Sequence, residues 1–178
     1  MSEFEPAVEY VLANEGGLER DDSDPGGITN HGISLRFLRS MDPDQLRKAG
    51  IFSIPNAETV VNMPVSQAIR IYHDTWWLNY PVYRINAQNF ASYVFDMLVN
   101  MGVNHTYHCV NRAIMAWSGS GSDSARMDAE ILDMINKNAE TIFPALRSER
   151  ACHYRMLAAH DDKNSRFLKG WLARSYRR

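Results

Sequence analysis

Cysteine is nearly missing from this chain, with two among 178 residues, at positions 109 and 152. That excludes a disulfide scaffold, and two isolated thiols read as reduced, buried side chains of a cytosolic product. No apolar run approaches the ~18 residues of a membrane helix, and no leader of charged, then apolar, then small residues opens the sequence. Neither a membrane span nor a cleavable signal is therefore expected. Internal repeats and low-complexity tracts are also missing, so no appended module is in view. Net charge is only −2, and nucleic acid is not an expected partner. What remains, at 45% hydrophobic and 22% charged residues, is an ordinary globular composition, long enough to bury one core in one domain spanning 1–178.

The small net charge conceals an asymmetry. Residues 1–24 hold eight acids and one Arg, whereas residues 163–178 hold six bases and no acid. A basic last helix complements its own dipole, and it is equally suited to a weak contact with a membrane or another anionic surface.

Half of the ten glycines lie between Glu15 and Ser34, in EGGLERDDSDPGGITNHGIS. Ahead of it, Phe4, Ala7, Val8, Val11 and Leu12 recur at helical spacing, and Glu15 continues that apolar face. A carboxyl there is partly desolvated, sits at the negative end of its own helix, and precedes Glu19, Asp21, Asp22 and Asp24. All three influences favour the protonated form that a general acid needs. Gly16 and Gly17 are expected to stop the helix in the left-handed conformation. Asp24 to Gly27 have turn chemistry, and Ile28 to Ser34 alternates enough for a short hairpin arm. A hairpin would bring Glu15, Asp24 and Thr29 to one cleft, an arrangement suited to glycoside hydrolysis, where one carboxyl protonates the leaving oxygen and another serves water or the oxocarbenium-like centre. The plainer alternatives are a surface helix end for Glu15 and an Asx turn for Asp24.

EGG followed by DPGGITNHGIS resembles the signature of the glycoside hydrolase family 108 N-acetylmuramidases, the lysozyme-like phage endolysins and secretion-associated muramidases. DTWWLNY at 74–80, FDMLVNMGVNHTYHCVNRAI at 95–114 and FLKGWLARSYRR at 167–178 are similar to that family's segments in the same order. The resemblance implies Glu15 as catalytic acid. The order Glu, Asp, Thr is also similar to that of phage lysozymes and places Asp24 second and Thr29 third. His31 is a departure, since the family commonly has Tyr there, and it is counted with the floor of the cleft. No cofactor is implied.

Further along, Leu35 to Ser40 and the Asp42-capped segment to Ala49 read as short helices, and Pro64 opens a longer one to about Leu78. Trp76, Trp77, Tyr80 and Tyr83 form the densest aromatic group. Trp76 is assigned to the core, and Trp77 and Tyr80 are the candidates for packing on sugar faces. Asn89 to Met101 and His105 to Trp117 read as a helical hairpin closed at Gly102, with Trp117 facing inward. Asp96 and Asn100 share a face of the first helix; a buried network is their usual role, and Asn100 is kept as a cleft residue. His105, His108 and Cys109 cannot all face one metal ion from a single helix, so no metal is expected. GSGSD at 119–123 is the clearest loop, followed by helices from Ser124 to Lys137 and from Glu140 to His160 with Pro144 inside. The last segment carries Phe167, Leu168, Trp171 and Leu172 on one side and bases on the other.

The expected fold is mainly α, a lysozyme-like single domain with one small β-hairpin. The expected function is an N-acetylmuramidase, a monomer acting on peptidoglycan glycan strands and reaching the wall through a holin or a secretion route. A lytic transglycosylase, or a wall-binding accessory protein without activity, are the alternatives.

Overall fold

The computed structural model describes residues 1–20 and 27–177. Helix α1 (Phe4–Asn14) buries Ala7, Val8 and Val11, the expected stripe, against α6 (Gln88–Met101). The hairpin is β1 (Thr29–Asn30) against β2 (Ile33–Ser34), with Thr29 opposite Ser34 and Asn30 opposite Ile33. Its two-residue turn has positive φ at both positions, His31 at 50° and Gly32 at 77°, the geometry that matches strand twist. Asn30 is buried and donates to the carbonyls of Val60 and Val61, which fastens the hairpin to a short helix, Ala57–Val61.

Between the hairpin and that short helix, which is α4, lie α2 (Leu35–Ser40) and α3 (Pro43–Lys48). Ser34 caps α2 and Asp42 caps α3, in the latter case with Gln45 completing a capping box. Helix α5 (Val65–Tyr72) runs into a single π turn, His73–Trp77, and a 3₁₀ turn, Pro81–Arg84, leads to α6. Phe90 to Leu98 are buried all round, so α6 is the central helix and not one with a single apolar stripe. Fully burying each of its large side chains contributes ~1.5–3 kcal/mol.

Helix α7 (Val103–Ser118) and the long α8 (Ala129–His160) pack along each other. Val110, Ala113 and Ile114 face inward as expected, but Trp117, in the last turn, is 39% exposed. Asp128 caps α8, which starts at Ala129 and not at Ser124. The break falls at Asn138, whose φ of −137° is not helical, in the gap expected between Lys137 and Glu140, and Pro144 lies inside the helical stretch that follows. After α9 (Asp162–Ser165), α10 (Leu168–Tyr176) docks on α8. Among the described residues no helix is long and apolar enough to cross a membrane.

Candidate active site

Glu15 is the residue at which α1 lets go. Its own backbone turns extended (φ −84°, ψ 145°), and its N–H makes the last helical bond, 2.9 Å to the Val11 carbonyl. Neither Gly16 nor Gly17 takes the left-handed conformation expected of them. The chain leaves the helix extended because it must reach the hairpin: Glu19 pairs with Thr29 through reciprocal bonds of 2.8 and 2.9 Å, adding a third strand-like edge. The hairpin therefore doubles back over Glu15 as expected. A Cβ on Gly32 would stand 2.7 Å from Glu15 Cγ and would meet the Tyr72 hydroxyl. Tyr72 in turn donates to the His31 carbonyl at 2.9 Å; burial, then the nearby Glu15 carboxylate, raise its pKa above the ordinary phenol value and keep it a donor. Gly32 is thus required twice, by its positive φ and by the approach to Glu15. Gly32→Ala should cost about 1–3 kcal/mol of stability and most of the activity, read by thermal melting and a wall-clearing assay.

The neighbourhood of Glu15 corrects one expectation. Instead of acids alone, a cation meets it: Arg174 Nη2, from α10, donates to Glu15 Oε1 at 2.6 Å. Arg174 is held from behind by Asp96, at 3.0 Å from Nε and 2.6 Å from Nη2. Burial works against the Arg174 charge, but the bonds to Asp96 and then Glu15 outweigh it and hold the guanidinium above its ordinary pKa. Asp96, fully buried, also accepts from Arg150 at 2.7 Å and from Asn14 at 3.1 Å. Arg150 lies between the Tyr93 and Tyr154 rings and donates to the Tyr154 hydroxyl, which donates to Asn100. The buried network foreseen exists around Asp96; it ends on Glu15 at one side and, through Tyr154, on the exposed Asn100 at the other.

Beside Glu15 runs a groove of about 750 Å³, lined by Glu15, Glu19, Arg166, Phe167, Trp171, Arg174 and Arg177 among others. The last helix thus supplies one wall. Trp171 stacks on Tyr154 (ring centroids 5.1 Å apart, 21°) and Phe167 is 44% exposed, so these rings, and not the 76–83 group, lie along the groove. Sequence reasoning missed them by counting Phe167 and Trp171 with the apolar side through which the last helix docks on the domain.

The other expected site residues fare differently. Asp24 lies outside the described residues, and Thr29 is pinned by backbone bonds to Glu19 and β2. His31 forms the turn next to Glu15. Trp77 is corrected from sugar-facing to core: it is 5% exposed, packed on Phe4 and Phe95. The cause is the π turn, in which Leu78 N–H bonds the His73 carbonyl, five residues back. One extra residue rotates Trp77 onto the buried stripe that follows Tyr72 and leaves Trp76 half-buried, stacked on Phe37. Tyr80 sits edge-on to Tyr107, and Asn100 is occupied by Tyr154; neither lines the groove.

On α7, His108 bonds Asp123 and His105 lies against His153 of α8. Among the described residues, no group of three His, Cys, Asp or Glu is placed to hold a metal. Burial pushes the Cys109 thiol up to about 12, while Cys152 is exposed, against the expectation that both are buried. A thiol-specific reagent should therefore modify one cysteine in the native protein and two in denaturant.

A family model described as Glycosyl hydrolase 108 matches residues 8–102, just over half of the chain. Curated protein sequences give no match. Among solved structures, one described as "Structure of Brucella abortus SagA" is similar with a TM-score of 0.63 at 20% identity, covering 98% of this chain and 96% of that one. That likeness bears on the fold, which is the mainly α, lysozyme-like one, with one small hairpin among the described residues. The matched segment includes Glu15, the hairpin and the buried Asp96, and the chain belongs to the glycosyl hydrolase 108 family.

Proposed function

We propose that this protein is an N-acetylmuramidase that hydrolyses the β-1,4 bond between N-acetylmuramic acid and N-acetylglucosamine in peptidoglycan. The observation that carries this reading is the carboxyl of Glu15, three-quarters or more shielded yet opening on a large groove, in a chain of a glycosyl hydrolase family. Arg174 holds Oε1, so the proton passes from the other carboxyl oxygen to the glycosidic oxygen. Asp24 supports the developing positive charge or activates water, and Thr29 positions that water. Phe167 and Trp171 pack on the apolar faces of the sugars, as aromatic rings in saccharide grooves do.

The protein acts as a monomer on bacterial wall, in lysis or in local opening of the wall for secretion. Mass spectrometry of muropeptides released from purified wall tests the reading. Products with reducing N-acetylmuramic acid ends are expected. Anhydro ends would make it a lytic transglycosylase, and wall that is bound without release of fragments would make it an accessory protein.

A further inference from the structure

The groove beside Glu15 carries more positive charge than an uncharged sugar chain calls for. Three guanidinium groups line it, from Arg166, Arg174 and Arg177, against the two carboxylates of Glu15 and Glu19. Arg174 is engaged by Glu15 and Asp96. Arg177 is fixed at the end of α1, where Nη1 donates at 2.7 Å to both the Ala13 carbonyl and Asn14 Oδ1. Arg166 is different. It precedes α10, is exposed, and stands over the Phe167 ring at 4.5 Å, with no carboxylate partner among the described residues. At 1.5 Å rise per residue it lies roughly 12 Å from Arg174 along the direction of α10, at the end of the groove away from Arg177.

We infer that Arg166, seated on Phe167, forms a subsite for a carboxylate of the peptide stem carried by the muramic acid next to the cleaved bond. This rests on the muramidase reading and narrows its substrate. A planar guanidinium already parked on an aromatic ring has lost part of its freedom and presents its donors to the groove, which suits a bidentate carboxylate contact. The site selects wall whose stems keep free carboxylates over wall in which they are amidated.

Calorimetric titration with soluble disaccharide-tetrapeptide tests this without requiring catalysis. Three ligands are compared: the fragment with free stem carboxylates, the same fragment with them converted to methylamides, and the peptide-free disaccharide with only its lactyl carboxylate. The free-stem fragment should bind about tenfold more tightly than the methylamide, and Arg166→Gln should remove most of that ratio. Lys163→Gln, an exposed charge off the groove, should preserve it and so exclude a general charge effect. Equal affinities for the free and amidated fragments, an undiminished ratio in Arg166→Gln, or tighter binding of the peptide-free disaccharide would each overturn the subsite. The two readings fail separately: a protein that discriminates stems but releases no fragments loses the muramidase assignment, and one that digests wall without discriminating loses only the subsite.

Discussion

Glu15→Gln is expected to abolish wall lysis while leaving the fold in place. The amide is nearly the same size but has no acidic proton to give, and general acid catalysis by a positioned side chain contributes about 10²–10⁴ in rate. The fold should tolerate the change because Arg174 keeps both bonds to the buried Asp96, and the amide oxygen can still accept the third. A loss near 1 kcal/mol is expected, the size of one weakened hydrogen bond in a partly shielded place. Turbidity of purified wall and circular-dichroism melting of the same preparation check the two halves. Lysis within tenfold of the parent would remove Glu15 from the role of acid.

How much of this site could be read from the sequence follows from distance along the chain. The stripe from Phe4 to Leu12, the carboxyl at its end and the Asn-His-Gly turn are local features, and helical periodicity and turn chemistry report local features directly. The partner of Glu15 is 159 positions away, on a helix whose bases looked like a solvent face. Amphipathic pattern assigns a base to water by default; it does not show that one of them points inward to meet a carboxylate that α6 has buried. Asp96 gave a partial signal, as an acid inside the strongly apolar central helix, where a charge needs partners. The exchange of Trp76 and Trp77 had a different cause. One π turn shifts the phase of everything after it, and the segment's composition carries no mark of that turn.

Asp96 is where the largest loss of stability is expected. Its carboxylate is fully buried and is shared by two guanidinium groups, that of Arg150, fully buried as well, and that of Arg174, 12% exposed. Asp96→Ala would leave those two cations close together, with Arg150 compensated only by the Tyr93 and Tyr154 rings and the Tyr154 hydroxyl. Removing one partner of a buried ion pair costs about 3–5 kcal/mol, because the charge left behind has neither water nor counter-ion. For a chain of this length that corresponds to a fall in melting temperature of roughly 6–20 °C. Activity should fall with it, since Arg174 would keep only Glu15 of its two carboxylate partners and could no longer hold that carboxyl in place. Asp123 supplies the contrast: it also pairs with an Arg and a His, but all three are well exposed, so Asp123→Ala should leave the melting temperature near that of the parent. A double replacement separates charge from packing. Asp96→Leu with Arg150→Met removes one anion and one cation together, leaves the contact between Glu15 and Arg174 in place, and should melt well above Asp96→Ala. If the single variant instead melts within a few degrees of the parent, Asp96 is not what holds the two guanidinium groups inside the protein, and the ordering of Glu15 through Arg174 fails with it.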